Sequence, residues 1–383
     1  MRIAILTQPL RYNFGGILQN YALQTVLRRM GHDVVTFDPH RYRFKWWQYP
    51  ILILRHAITR YIRGYHKVPI FAEWINDRQP DNETRLLGTN TFKFVDKYIN
   101  RKEYWNLSNE VKEKDYDAFI VGSDQVWRWE YNRGITKLNN MFLDFTKGWK
   151  VKRIAYAASF GTDKWEGDEE MTSICRNMLK EFDVVTVRES SGIDLCKNVF
   201  NVDARHVLDP TLLLNKEDYM KLVERRSNLN TKEGDLYLYL LDENESNMKL
   251  ANSMSKEMGV IPYTYTSRAC DFHGVYPIEE RIQPPVELWI KGFDQAKIVL
   301  TDSFHACVFS IIFRKQFYLY ANKDRGMERY TSLFNILGIG DRSVRTINDI
   351  RKLSHIDYNQ VSGHLNDLKS ASFHILEEIH NTN

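Results

Sequence analysis

A histidine and an arginine are the side chains in this sequence best suited to do chemistry. His305 follows the strand-like run 297–303 and lies at the start of 304–313, which is apolar enough to be a buried helix. Imidazole is the usual proton donor or acceptor near neutral pH. A lone histidine can equally be a core residue that hydrogen-bonds to backbone, so the position favours a functional role without deciding it.

Arg188 ends the apolar run 184–187 and precedes Glu189, where a helix is expected to begin. A guanidinium at the carboxyl end of a strand, beside a helix N-terminus, suits bidentate binding of a carboxylate or a phosphate. An ion pair with Glu189 or with a carboxylate at a domain interface explains the arginine equally well. Lys315 follows the helix that carries His305, and we expect its side chain to reach the same cleft.

Small and polar residues follow three of the early strands. The glycine pair in NFGG (13–16) would let backbone amides approach an anion at a helix N-terminus. This segment is not G-x-G-x-x-G, and a tight turn without a ligand explains it as well. Polar side chains after strands can line a cleft, although capping of helices is their commoner role. The residues predicted to line the cleft are Asn13, Gly15, Gly16, Ser123, Asp124 and Ser159.

Strand-like runs alternate with helical stretches, and the alternation starts again after Asp209 and Pro210. The predicted strands are 2–10, 33–39, 117–123, 153–161, 184–190 and 205–210, then 235–241, 260–266, 297–303 and 316–322. This pattern predicts an α/β fold of two doubly wound, Rossmann-like domains that face each other across a cleft. We place the domains at 1–208 and 209–365, with a final helix in 366–383 that packs back on the first domain. Ligands of such sheets bind at the carboxyl ends of the strands.

The segment 40–115 departs from this alternation, because it is rich in aromatic and basic residues and has no clear strands. We interpret it as a helical insertion that covers the first domain. The alternative is that residues 40–67 form an interfacial amphipathic helix that contacts anionic lipid as a peripheral membrane element.

Composition limits the class of partner. The formal net charge of +4 is small for 383 residues, so we expect no nucleic-acid partner and favour small anionic ligands or a membrane surface. Four scattered cysteines predict neither a disulfide framework nor a thiolate zinc site, and no metal-ligand spacing is present. With no signal peptide and no apolar run of about 20 residues, we expect a cytoplasmic protein, at most attached to the inner face of the membrane.

Taken together, these segments resemble the polysaccharide pyruvyl transferase family. The resemblance runs in order from Met1 to Phe334, apart from 40–115. It is carried by NFGGILQNYALQ, GSDQVW, RIAYAASFG, VVTVRES, VLDPTLLL and TDSFHACVFSIIFRKQF. It implies a two-domain fold similar to that of GT-B glycosyltransferases. It also implies transfer of a pyruvyl group from phosphoenolpyruvate to a sugar as a cyclic ketal, without a cofactor, during synthesis of bacterial capsule or exopolysaccharide.

The resemblance also implies roles for individual residues. His305 matches the proposed general acid, and Arg188 matches the arginine that binds phosphoenolpyruvate. Ser303, Phe304 and Lys315 would assist in binding that donor. Many relatives have Arg-Leu-His where this chain has Ser303-Phe304-His305, so another cation, Lys315, Arg325 or Arg329, would have to replace the missing arginine.

Two other functions are compatible with the sequence. The same two-domain architecture serves glycosyltransferases that use nucleotide sugars. The serine at position 303 also fits a relative that binds a glycan or a partner without turnover. Under the leading hypothesis the acceptor is a glycan, which we expect to be linked to undecaprenyl.

Overall fold

Two parallel β-sheets, one in each half of the chain, form the framework of the protein. The computed structural model describes residues 1–40, 46–61, 70–71, 85–132, 135–267, 277–322 and 326–381. The first sheet has the order β3-β2-β1-β4-β5-β6-β7 and is parallel throughout. Its strands are β1 (Arg2–Leu6), β2 (Asp33–Pro39), β3 (Arg101–Tyr104), β4 (Ala118–Val121), β5 (Lys152–Ala158), β6 (Val184–Val187) and β7 (Arg205–His206). Such an order is that of a doubly wound fold.

The second sheet is smaller but is built in the same way. Its order is β11-β10-β8-β9, and its strands are β8 (Leu236–Tyr239), β9 (Pro262–Tyr263), β10 (Ile298–Thr301) and β11 (Gln316–Leu319). All three strand pairs are parallel. The chain proceeds from β8 to one side and returns to its other side as β10. The carboxyl ends of β8 and β10 therefore form a topological switch point, where such sheets bind ligands.

Helices connect the strands and cover both sheets. In the first half they are α1 (Phe14–Arg29), α2 (Tyr49–Tyr61), α3 (Thr89–Tyr98), α4 (Leu107–Glu110), α5 (Ile135–Met141), α6 (Glu169–Leu179) and α7 (Ser190–Asn198). In the second half they are α8 (Lys216–Glu224), α9 (Glu245–Met258), α10 (Ile278–Arg281), α11 (Val286–Gln295), α12 (Phe304–Ile312), α13 (Glu328–Leu337), α14 (Ile347–Lys352) and α15 (Tyr358–Asn381). None of the helices in the described ranges is long and apolar enough to cross a membrane.

Helix α1 joins the two halves. Its apolar residues recur on nearly every side, so most of the helix is buried. Phe14 stacks on Trp289 of α11, with ring centroids 5.6 Å apart, and lies 6.4 Å from Tyr239 of β8. Because buried aromatic pairs contribute about 1 kcal/mol beyond the area they bury, these contacts hold the start of α1 against the second half.

The segment 40–115 differs from its prediction. It is not free of strands, because β3 pairs with β2 as the edge strand of the first sheet, and α3 packs on α1 through Phe94 and Tyr21. Residues 101–104 (RKEY) carry three charged side chains and no apolar alternation. Charged residues protect an edge strand from unwanted pairing. For the same reason, the hydrophobic pattern of the sequence does not predict this strand.

The last helix spans both halves. Near its start, the hydroxyl of Tyr358 donates to the carbonyl of Ser310 in α12 (3.2 Å). Further along, Ser372 accepts from the amide of Leu208 (3.1 Å), and Glu378 forms an ion pair with Arg205 of β7 (2.7 Å). The helix begins at residue 358, inside the range predicted for the second domain.

Candidate functional site

His305 reaches from the second half of the chain into the first. Strand β10 ends at Thr301, Ser303 precedes α12, and the imidazole leaves the first turn of that helix with 8% of its side chain exposed. It lies directly on the first turn of α1. A Cβ on Gly15 would lie 2.2 Å from Nδ1 of His305 and 2.3 Å from Cγ. Only glycine at position 15 leaves room for the ring where it stands.

Asp209 lies on the other side of the imidazole. Its Oδ2 is 3.6 Å from Nε2 of His305. Its Oδ1 accepts from the amide (3.0 Å) and the hydroxyl (2.6 Å) of Thr211. Burial alone would raise the pKa of Asp209, but His305, Arg188 and Thr211 together hold this pKa well below its usual value. The carboxylate is therefore ionised at neutral pH.

Arg188 shares the same carboxylate oxygen. It lies at the carboxyl end of β6, as predicted, and its Nη1 donates to Oδ2 of Asp209 (2.9 Å). Its Nη2 is 3.5 Å from Asp124, and its Nε is 3.8 Å from Glu189. Burial tends to lower the pKa of Arg188, but the three carboxylates reverse that effect and raise it. The guanidinium thus forms the structural ion pairs that were one of its two predicted roles.

Phe304 connects this arginine to the second half. Its ring centroid is 4.6 Å from the guanidinium carbon of Arg188 and 5.7 Å from that of Arg329 in α13. A cation over an aromatic face is attracted by the ring, more strongly when both are removed from water. Phe304 also meets the imidazole of His305 edge to face at 5.3 Å. The ring therefore fixes the first turn of α12 between two arginines.

The predicted polar residues of the first half lie in this cluster, but they bond to other protein groups. Ser159 donates to Glu189 (2.6 Å), which also accepts from the amides of Phe160 and Gly161. Ser123 donates to the carbonyl of Ala157 (3.0 Å) and lies 3.4 Å from Asp209. Neither serine caps a helix, contrary to the alternative interpretation. Together they orient two of the three carboxylates.

Three helices begin at this cluster. Asn13 caps α1 by accepting from the amide of Gly16 (3.2 Å), α7 starts directly after Glu189, and α12 starts after Ser303. Helix N-termini carry partial positive charge and unpaired amides, which favour anions. Four buried atoms of the cluster have no hydrogen-bond partner among the described residues: Nε of Arg188, Oε2 of Glu189, Oγ of Ser191 and Nε2 of His305. Buried polar atoms are normally paired; here Nε of Arg188 faces Oε2 of Glu189 at 3.8 Å, and Nε2 of His305 faces Asp209 at 3.6 Å, both beyond hydrogen-bond distance.

Lys315 was predicted to assist in donor binding, but the structure does not bring it to the cluster. It follows the C-terminal end of α12 and precedes β11, at the opposite edge of the sheet from His305. Its Nζ donates to the carbonyl of Asp294 (2.9 Å), and burial lowers its pKa. Arg325 lies outside the described residues, whereas Arg329 lies in the first turn of α13 beside Phe304.

Asp209 and Glu189 were not predicted as site residues. Asp209 lies near the end of the predicted strand 205–210 and precedes proline. A polar residue at a strand's carboxyl end is the same signal that led to the prediction of Ser123. Its role depends on contacts with Arg188 and His305, which are 21 and 96 residues away in the chain. Sequence spacing alone gives no sign of such contacts.

A cavity of about 430 Å³ lies at the switch point of the second sheet. Asp302, three residues before His305, lines it and accepts from the amides of Leu241 (2.7 Å) and Asp242 (2.8 Å). Asn244 and Asn247 at the start of α9 complete one wall, and Arg345 lies on another. The cavity thus lies at the carboxyl end of β10, and Asp302, which lines it, directly precedes the segment that leads into α12.

The fold and this site define a class of protein. Two doubly wound parallel sheets, one in each half of the chain, form the fold found in GT-B glycosyltransferases. The structure of Arabidopsis thaliana UGT89C1 with UDP-L-rhamnose has the same fold, with a TM-score of 0.50, 9% identity, and coverage of 98% of this chain and 97% of that one.

Two further solved structures are similar over the whole length. For UDP-N-acetylglucosamine 2-epimerase from Rickettsia bellii the TM-score is 0.48 at 11% identity, covering 99% of this chain and 96% of that one. For MurG from Acinetobacter baumannii the TM-score is 0.46 at 8% identity, covering 100% and 99%. No curated protein sequence matches the chain.

The family follows from the sequence itself. The family model described as "Polysaccharide pyruvyl transferase" matches residues 13–324, which is most of the chain. That range runs from α1 to beyond β11, which leaves out only β1 among the strands, and it includes Gly15, Arg188, Asp209 and His305. The chain belongs to the polysaccharide pyruvyl transferase family.

Proposed function

We propose that this protein transfers the pyruvyl group of phosphoenolpyruvate to two hydroxyls of a glycan, forming a cyclic ketal and releasing phosphate. The observation that carries the proposal is the setting of His305. Its imidazole comes from the second sheet and is held between Gly15 of α1 and the ionised carboxylate of Asp209, which follows β7 of the first sheet. This arrangement fixes an acid–base group at the seam of the two domains, where donor and acceptor would meet.

The groups that would hold the donor follow from the charges at the seam. Phosphoenolpyruvate carries a carboxylate and a phosphate, which suit helix N-termini and guanidinium groups. All three nitrogens of Arg188 face carboxylates, but Nε, 3.8 Å from Glu189, makes no hydrogen bond, and we assign it to a donor oxygen. We assign the charge of the arginine missing at Ser303 to Arg329, because it lies against Phe304, the next residue.

The reaction then needs one acid and two nucleophilic hydroxyls. His305 gives a proton to the methylene carbon of the donor, and C2 becomes oxocarbenium-like. A sugar hydroxyl forms a bond to C2 and its proton returns to the imidazole. The C2–O bond to phosphate breaks as the second hydroxyl attacks, and its proton leaves with the phosphate. A positioned acid contributes about a hundred- to ten-thousand-fold in rate, and orientation of the hydroxyls contributes further.

Entry of the donor requires movement between the domains. The side chains of Arg188, Asp209 and His305 are exposed by 2%, 1% and 8%. Opening and closing of two domains around a ligand is a common way to admit substrate and then exclude water. We propose that the acceptor glycan, carried on an undecaprenyl lipid, occupies the cavity beside Asp302, with its hydroxyls directed at the same seam.

Donor binding and phosphate release test this function. Calorimetry should show binding of phosphoenolpyruvate and none of UDP-sugars. Phosphate release should need an acceptor from a panel of galactosides, mannosaminides and glucosides, free and undecaprenyl-linked. His305→Ala should lower turnover by about a hundred- to ten-thousand-fold with donor affinity retained. His374→Ala, an exposed histidine on α15, is the matched control and should behave as the parent.

Three results would contradict the proposal. Binding of UDP-sugars instead of phosphoenolpyruvate would favour a nucleotide-sugar glycosyltransferase. Glycan binding without phosphate release on any acceptor would favour an inactive relative. Full turnover by the His305 variant would remove the imidazole from the mechanism.

A further inference from the structure

Helix α2 presents an apolar face to solvent. Ile51, Leu54, Ile58 and Tyr61 recur at spacings of three and four residues, which places them along one side of the helix, and the exposed Trp47 lies in the 3-10 turn before it. Their exposure ranges from 37% for Ile58 to 68% for Tyr61, and Trp46, just before the helix, is 82% exposed. Single exposed apolar residues are normal, but a continuous stripe of them marks an interaction surface.

The segment around this stripe carries charge of one sign only. No aspartate or glutamate occurs between Asp38 and Glu73. Seven basic residues occur there, namely Arg41, Arg43, Lys45, Arg55, Arg60, Arg63 and Lys67. Positive and negative charges nearly balance in the rest of the chain, since the whole protein has a net charge of only +4. The positive charge is therefore concentrated in the stretch of sequence that contains α2.

From these two observations we infer that α2 is a docking surface for the interface of an anionic lipid bilayer. Apolar and aromatic side chains of such a helix enter the boundary between headgroups and acyl chains, and Trp and Tyr favour that depth. Basic residues nearby are attracted to anionic headgroups. A second copy of this chain is a poorer occupant, because a two-fold contact would bring two positively charged segments together.

The position of the helix relates this surface to the site. Residue 39 ends β2 at the carboxyl edge of the first sheet, the edge where Arg188 follows β6. The segment that carries α2 therefore leaves the sheet on the side of the cluster. The inference itself rests on the surface of α2 and stands or falls independently of the proposed reaction.

Vesicle flotation with the full chain tests the inference. The parent should float with vesicles of equal parts phosphatidylcholine and phosphatidylglycerol and remain at the bottom with phosphatidylcholine alone. A variant with Ile51→Gln, Leu54→Gln and Ile58→Gln should lose flotation. A variant with Arg55→Gln should bind about fivefold more weakly, because each basic residue near an anionic surface contributes about a factor of five. Added salt should also weaken binding of the parent protein to the anionic vesicles.

A matched control tests whether flotation depends on α2 or on any exposed apolar side chains. Met258 and Ile261 in the second half are 38% and 59% exposed, and changing both to glutamine should leave flotation unchanged. Thermal unfolding should be alike in all variants, because the substituted side chains are exposed. Absence of flotation with anionic vesicles, or flotation of the triple variant equal to the parent, would overturn the inference. A concentration-dependent dimer that the triple variant abolishes would also overturn it, in favour of a second copy.

Discussion

Substitution of Gly15 by alanine is the sharpest test of how His305 is positioned. The added methyl group would lie 2.2 Å from Nδ1, so the imidazole must move by about 1 Å to restore an ordinary contact distance. A misplacement of that size costs about a hundredfold in rate, which is about 2.7 kcal/mol of transition-state stabilisation. We therefore expect Gly15→Ala to lower phosphate release from phosphoenolpyruvate by about a hundredfold.

Gly16→Ala is a matched control one residue away. Its methyl group would lie 3.4 Å from the nearest atom, the amide nitrogen of Asn13, and its three nearest neighbours all belong to Asn13 and not to the imidazole. Alanine favours a helix over glycine by about 1 kcal/mol, and this gain is the same for both variants. Gly16→Ala should therefore keep the turnover of the parent.

The assay is phosphate release at saturating donor and acceptor, with thermal unfolding of each variant measured alongside. Equal turnover of Gly15→Ala and the parent would show that the imidazole does not depend on this contact. Equal loss in both glycine variants would show that the start of α1, and not the position of His305, controls the rate. Either result would refute the reasoning.

Three further predictions concern charge at the seam. Asp209→Asn should destabilise the protein by about 3 kcal/mol at neutral pH in chemical unfolding, because it leaves Arg188 buried beside one carboxylate fewer; an unchanged unfolding midpoint would contradict this. Because the pKa of Asp209 is lowered on folding, its ionisation stabilises the fold above its ordinary value of 3.8 and this contribution is lost as pH falls further, so the parent should lose stability more steeply than the variant in acid. Arg329→Ala should weaken phosphoenolpyruvate binding about tenfold in calorimetry, as expected for a lost charged hydrogen bond, whereas Lys315→Ala should leave it unchanged; the reverse order would return Lys315 to the site.

Much of the framework could be predicted because buried parallel strands are continuous apolar runs. Strand β2 has the bounds predicted for it, 33–39. Strand β1 ends at Leu6, earlier than predicted, because Thr7, Gln8 and Pro9 belong to the turn before α1. Strand β3 was missed because an edge strand needs no apolar face.

The candidate site was predicted less completely, because spacing along a helix misleads and contacts between domains leave no pattern. Lys315 is ten residues after His305, which along a helix is about 15 Å, and so the two lie at opposite ends. Asp209 meets His305 only because the two sheets face each other. Arg188 was correctly expected at a strand end beside Glu189, but its other carboxylate partners, Asp124 and Asp209, come from two other loops.

The course of the last helix limits how the two domains can separate. Tyr358 attaches its beginning to α12, and Glu378 attaches its end to β7. Because α15 is attached to both domains, we expect it to act as the hinge axis when the domains move apart. The cleft between the domains would then open most on the side farthest from α15. A chain that ends before residue 358 would lack this helix and the constraint that it places on how the domains close.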